Sequence, residues 1–284
     1  MNTLDAWFIE PFVSSQGMQN ALWAGLLAVV ATSVVGTWVV LRGMSFLGDA
    51  LAHGVLPGIA IALVLGGNTT VGALVAALFM VGGINVIGAR SPLPEDTSIG
   101  ILFVGFLALA RVITSVWPVG GLDPLLFGSI SGIDGADIRR QAVAAALSIV
   151  AVVVFYRPLL VMTFDETQAR LLGLHPRLAN TVLLSLLAVT IVTSFEAVGS
   201  LLVFAFLVAP AATATLMVNR VPLIMAVAVA LGSVAVVIGL LIGWHYETAP
   251  SATMALVAVT IFLMALVVHS AVQALTPLRA KAAA

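Results

Sequence analysis

An all-α, polytopic bundle of about eight or nine membrane-spanning helices is the fold class this sequence predicts, and three observations carry the prediction. Hydrophobic residues make up 62% of the chain and charged ones 8%, with a mean hydropathy of +1.21. That leaves too little polar surface to cover a water-soluble domain of 284 residues. Apolar runs of spanning length, about 17–25 residues each, follow one another along the chain. Short polar or Pro/Gly-rich breaks separate them, and the longest loop is Trp117 to Ile138. The chain therefore reads as a single transmembrane domain over residues 1–284.

In order, the nine candidate spans lie near Asn20–Leu41, Leu47–Leu65, Val71–Ala89, Ile99–Val116, Gln141–Tyr156, Leu178–Thr193, Ala197–Val218, Pro222–Trp244 and Ala252–His269. The two segments flanking Glu196 have no polar loop between them; as a broken or re-entrant pair they would reduce the count to eight. Met1 to Gln19 carries Asp5 and Glu10 and lacks a basic n-region and a cleavage site, so it does not read as a secretory signal peptide.

Orientation follows from the basic residues. With Arg42 inside, alternation of the spans puts Arg90, Arg157, Arg170, Arg177, Arg220, Arg279 and Lys281 inside too, eight of the eleven basic residues. Arg139 and Arg140 fall outside and Arg111 within a span. The positive-inside bias thus predicts an external N-terminus and an internal C-terminus. Asp123, Asp134, Asp137 and Glu247 make the external loops acidic. They could receive a cation, with Asp123 an acid at the outer mouth, or they are solvated loop charges. A net charge of −1 gives no basic excess for nucleic acid, and the absence of cysteine excludes disulfides, iron–sulfur clusters and thiolate-bound zinc.

The second span holds the most informative pair. In Met44-Ser-Phe-Leu-Gly-Asp-Ala-Leu-Ala-His-Gly-Val-Leu-Pro-Gly58, Asp49 and His53 are four residues apart, which puts them on one helix face. An acid near the centre of a membrane helix costs about 2.5–3.5 kcal/mol on insertion scales, so such groups line an ion path or pair with a partner. Ser45, Asp49, His53 and Pro57 form a stripe, and Gly48, Gly54 and Gly58 permit close helix approach or a kink. The pair can serve as metal ligands, or as structural glue bonding each other or nearby backbone; the spacing favours ligation.

Glu196, in Thr193-Ser-Phe-Glu-Ala-Val-Gly-Ser200, also lacks a soluble loop around it. It either completes or relays a cation site or snorkels to the outer interface. Arg111 needs a counter-charge or a route to the surface. His175, His245 and His269 have no ligand-spaced neighbour, and the nine methionines show no repeated Met-x-x-Met spacing, so they read as interface and packing residues.

The internal segment from Arg157 to Pro176 contains a second signal. Thr163 or Asp165 can cap a short helix that stops at Gly173, with Ala169, Leu171 and Leu172 apolar beside Glu166 and Arg170. Such a helix can dock into a partner or lie flat on lipid, and composition leaves both open.

Five stretches carry a resemblance: Val39-Val-Leu-Arg-Gly-Met-Ser-Phe-Leu-Gly-Asp-Ala-Leu-Ala-His-Gly-Val-Leu-Pro-Gly58, Glu95-Asp-Thr-Ser-Ile-Gly100, Leu126-Phe-Gly-Ser-Ile130, Phe164-Asp-Glu-Thr-Gln-Ala-Arg-Leu-Leu-Gly173, and Val198-Gly-Ser-Leu-Leu-Val-Phe-Ala-Phe-Leu-Val-Ala-Pro-Ala-Ala212. Taken in this order, they resemble the membrane permease of the manganese/zinc/iron ABC importers. The first is highly specific; the others persuade as a series. The resemblance implies a type II-like permease in a bacterial cytoplasmic membrane. It implies a homodimer with two cytoplasmic ATP-binding subunits and an extracytoplasmic metal-binding protein. It makes Asp49 and His53 ligands or gate residues, adds Glu196 as a path acid, and makes residues 163–173, with Asp165, Glu166, Ala169, Arg170 and Gly173, the helix received by the ATPase. The phosphate-loop pattern Gly-x-x-x-x-Gly-Lys-Ser/Thr is absent, so this subunit is expected to hydrolyse no ATP.

If the second span lies on a dimer axis, two carboxylates and two imidazoles surround one point. Oxygen with imidazole suits manganese, zinc or ferrous iron, whereas magnesium and calcium rarely favour His and cuprous copper wants sulfur. Manganese or zinc is the expected cargo, with iron third, and no permanently bound cofactor is expected. Two rivals are a permease for metal chelates of the siderophore or cobalamin type, which needs a wide path without a ligand pair, and an intramembrane hydrolase. His-Glu-x-x-His is absent, and no partner acid completes an aspartyl dyad with Asp49.

Overall fold

The structure is a computed structural model describing residues 7–90, 94–117 and 133–282; of residues 95, 196, 197 and 274–282 it describes the backbone alone. Among the described residues all regular structure is helical. After a short α1 (Glu10–Ser14), the Ser15 hydroxyl accepts from the Met18 amide and caps α2 (Gln16–Leu41). A turn through Gly43 leads into α3 (Ser45–Gly54) and α4 (Leu56–Val64), which together make one span of 20 residues. Then come α5 (Thr69–Arg90) and α6 (Glu95–Val116). Asp134 opens α7 (Gly135–Val154) with a capping box. The backbone N–H groups of Asp137 and Ala136 donate to its carboxylate and hold it below the ordinary Asp pKa.

The chain continues through α8 (Tyr156–Phe164), α9 (Glu166–Leu171), α10 (Pro176–Val198), α11 (Ser200–Met217), α12 (Val221–His245) and α13 (Pro250–Ala282). Proline at or near the first helical position of α10 and α12 supplies a preset φ without wasting an N–H. Eight helical stretches are long and apolar enough to cross a membrane, and the bent pair α7–α8 gives a ninth. The segments flanking Glu196 are two separate spans, α10 and α11, joined at Gly199 with φ 84° and ψ 157°. That backbone region is essentially reserved for glycine, so the helix breaks there without a polar loop.

The fifth span departs from expectation. Instead of ending at Tyr156 in a connector, the chain carries on as α8, turned by 69° from α7. Pro158 explains the bend: it has no N–H for the Val154 carbonyl, and its ring crowds that carbonyl.

The core is built around α2, which packs against α7, α10, α11 and α12. Trp38 is wholly buried there, with its ring edge-on to Tyr156 at 5.7 Å. Polar rungs join α7 to α10, with Gln141 donating to the Ser194 hydroxyl at 2.8 Å and Ser148 bonded to Thr190 at 3.1 Å. Such bonds hold membrane helices together where burial of apolar area gives no preference over lipid. Arg42 bonds Asn180 at one end of the bundle, while at the other Asn20 donates to the Ile133 carbonyl and Trp7 stacks on His245. Arg111 is exposed near the Val116 end of α6, which gives its charge a short route to the interface.

Candidate metal path

The geometry of α3 is set by which of its residues lack side chains. A Cβ added at Gly48 would come within 2.4 Å of Leu207 on α11, and one at Gly54 within 2.3 Å of the Met80 sulfur on α5. Leu47, Leu51 and Ala52 are buried on the same inner side of the helix. Packing this tight on the back of α3 turns the stripe of Ser45, Phe46, Asp49 and His53 toward the open flank of the bundle. The Asp49 side chain is 37% exposed and that of His53 is 30% exposed. An acid and an imidazole thus stand half-open on the side of a transmembrane bundle, where lipid alone would be a costly neighbour.

His53 Nε2 and Asp49 Oδ1 are 3.6 Å apart. That is too long for a short hydrogen bond, so the oxygen and nitrogen atoms of both groups remain available to a third body. The close approach of α4 and α5 fixes the span beyond: Gly58 and Gly72 face each other so tightly that a Cβ on either would strike the other's carbonyl, at 2.0 Å and 2.3 Å. The chain alone does not complete a cage, since among the described residues no group of three or more His, Cys, Asp or Glu side chains is placed to hold a metal ion.

Two aromatic neighbours frame the pair. Phe103 of α6 has its ring 5.9 Å from the His53 ring and 5.7 Å from that of Phe46, edge-on to the latter at 76°. Phe103 lies on another span fifty residues from His53, and no spacing rule brings it to the pair. Phe46 had a local signal, sharing the helix face of Asp49 and His53.

Of the other expected site residues, Glu196 lies in the last turn of α10, and its side chain is outside the described residues, as is Asp123 altogether. The short helix near residues 163–173 forms as α9, with the Asp165 carboxylate accepting from the Gln168 amide at 2.9 Å. Asp165 is the cap; the Thr163 hydroxyl instead donates to the Leu159 carbonyl within α8. Gly173 follows at φ 72°, as a helix stop requires. Glu166 pairs with Arg170 at 2.5 Å, and Ala169 is wholly buried. Leu171 and Leu172 are 82% and 65% exposed.

The profile of the ABC 3 transport family matches residues 14–269. The chain is 35% identical over 259 residues to the manganese transport system membrane protein MntC of Listeria innocua, covering 91% of this chain and 92% of that one. It is 33% identical over 261 residues to a probable iron transport system membrane protein of Haemophilus influenzae, with 92% and 96% covered. A solved structure, PsaBC from Streptococcus pneumoniae in complex with Fab, includes a chain similar to this one at 33% identity and a TM-score of 0.81, over 92% of this chain and 94% of that one.

Proposed function

This chain belongs to the ABC 3 transport family, as a multi-pass membrane permease, and from that premise we propose that two copies form a conduit for a bare divalent transition-metal ion driven by two separate ATP-binding subunits. Manganese is the cargo favoured by the name of the Listeria innocua relative; iron follows from that of the Haemophilus influenzae relative. Zinc fits the same donors, but these names do not point to it. The observation that carries the reading is the half-exposed Asp49–His53 pair on the flank of α3. A second copy placed with α3 against α3 would add a second carboxylate and imidazole, which closes the set that one protomer leaves incomplete. An extracytoplasmic metal-binding protein would hand over the ion at the outer face, with Asp123 and Glu196 as acids along its route.

The end of the bundle that carries Arg42, Arg90, Arg177 and α9 faces the cytoplasm on this reading, since basic residues concentrate there. The exposed leucines of α9 then present an apolar knob to the ATPase, and ATP-driven movement of α9 shifts the balance between states that bind the ion well and poorly. Metal uptake by cells carrying Asp49→Ala or His53→Ala is the test. We expect radioactive manganese accumulation to fall to background in both while the permease still reaches the membrane with its ATPase. Full uptake by both variants would refute the ligand role. Competition by free ion but not by chelate separates this conduit from a chelate permease.

A further inference from the structure

From Met44 to Pro57 the span that carries the metal ligands is buried at every position except Ser45, Phe46, Asp49 and His53. Three of these four are polar. Phe46 is the one apolar side chain on the open strip, and it is 45% exposed. Lipid alone would be an indifferent neighbour for a phenylalanine, but the same strip carries an acid and an imidazole, which lipid penalises. Whatever covers Asp49 covers Phe46 as well, since the two are three residues apart on one helix face.

Its place along the strip gives this ring a task. Phe46 lies in the first turn of α3, about 4.5 Å along the axis from Asp49 and toward the Arg42 end. That end faces the cytoplasm on the reading given above. Beyond His53 the strip is closed by Gly54, Val55, Leu56 and Pro57, all buried. An ion leaving the ligands for the cytoplasm along this strip therefore passes Phe46. The ring is also held in place. Phe103 of α6 stands edge-on to it with centroids 5.7 Å apart, and the same Phe103 ring is 5.9 Å from that of His53. Phe46 and the ligand His53 thus share one aromatic seat, so a movement of α6 against α3 shifts both.

We propose that Phe46 is the ion barrier on the cytoplasmic side of the metal site, where it meets its counterpart in a second copy, excludes water from the path, and parts when ATP turnover moves the helices. The proposal rests on the metal path and the α3-to-α3 pairing proposed above. A twofold axis that brings Asp49 to Asp49 also brings Phe46 to Phe46, close to one helical turn nearer the cytoplasm. Two phenyl rings offer a hydrated divalent ion no oxygen or nitrogen in place of its water, so the constriction stops the ion by dewetting. Imported metal is retained because the site never opens to both sides at once.

The experiment uses the permease–ATPase complex in vesicles with ATP trapped inside, so that only complexes whose ATPase faces the lumen turn over. The metal-binding protein delivers radioactive manganese from outside. Once the vesicles have filled, a chelator is added outside while ATP turnover continues, and the loss of label is followed. We expect the natural complex to hold its manganese and Phe46→Ala to lose it about tenfold faster or more, a change that takes only about 1.4 kcal/mol off the barrier. Phe46→Leu, still apolar and branched, should hold the ion as the natural complex does. The melting temperature and ATP hydrolysis of Phe46→Ala should be unchanged, because the ring lies outside the buried core. Retention of manganese by Phe46→Ala overturns the barrier. So does slower filling without faster loss, which would make Phe46 a support for His53 only. Faster loss that comes with a lowered melting temperature, or that Phe46→Leu shares in full, overturns it too and gives the residue to packing. Asp49→Ala separates this proposal from the one beneath it. If that variant fills the vesicles fully, the metal path itself fails; if it does not fill them and Phe46→Ala holds its manganese, the barrier alone fails.

Discussion

At the scale of single residues, Asp49 and His53 were legible because helical periodicity relates positions four apart, and the rarity of charge in a span marks both. Their half-open setting was not legible, because it depends on Gly48 and Gly54 seating the back of α3 against Leu207 and Met80, contacts made across more than twenty residues of chain. Phe103 was invisible for the same reason. Its ring lies against that of His53 and is itself held edge-on by Phe46, so it restricts the orientations open to the imidazole. Aromatic contacts of this kind are worth about 0.5–1.5 kcal/mol, which converts to roughly two- to tenfold in affinity. Phe103→Ala should therefore weaken manganese uptake by that factor as a raised half-saturation concentration, with the maximal rate largely kept, and Phe103→Tyr should restore most of it. A fall in maximal rate alone, with unchanged half-saturation, would remove Phe103 from the path and leave it a packing residue of α6.

At the scale of elements, the helix α9 was legible almost to its ends, since Asp165 and Gly173 are local signals whose chemistry needs no tertiary partner. The preceding element was not. Pro158 was in plain view, but a proline that ends a helix and one that bends a continuing helix share the same local cause, and only the packing of α8 onto α9 and α10 decides between them. The sequence also left open whether α9 docks or lies on lipid. Its geometry sharpens that choice: Ala169 is buried against the bundle, the Glu166–Arg170 pair closes one side, and Leu171 and Leu172 stand free. If those leucines enter a groove on the ATPase, Leu171→Asp/Leu172→Asp should lower the amount of ATPase that copurifies with the permease by about tenfold or more, given about 1.5–3 kcal/mol for each buried leucine. The permease itself should still be extracted folded, as both positions lie outside the core. Unchanged copurification with poorer membrane retention would mean that α9 rests on lipid instead.

At the scale of the whole molecule, span number and order were legible because nearly every helix is long, apolar and bounded by charge or turn residues. What a single chain's sequence could not indicate is which flank of the bundle meets another protein and which meets lipid, since both are apolar. The span formed by α3 and α4 is 72% buried, yet the face it leaves open carries an acid, an imidazole and a hydroxyl. The apolar stretch of α13 is 22% buried, and it opens onto Leu263, Val267 and Val268. Hydrocarbon tolerates the second face and penalises the first by about 2.5–3.5 kcal/mol for the acid alone, so the twofold axis proposed above would lie at α3. The absence of cysteine makes this directly measurable, because any introduced thiol is the only one in the chain. Ser45→Cys, nearly isosteric and on the Asp49 stripe, should link two permeases into a covalent dimer with a short bis-thiol reagent in membranes. Val267→Cys should remain monomeric under the same treatment. The reverse pattern would move the axis to α13 and leave Asp49 and His53 facing lipid, where no second copy could complete their coordination.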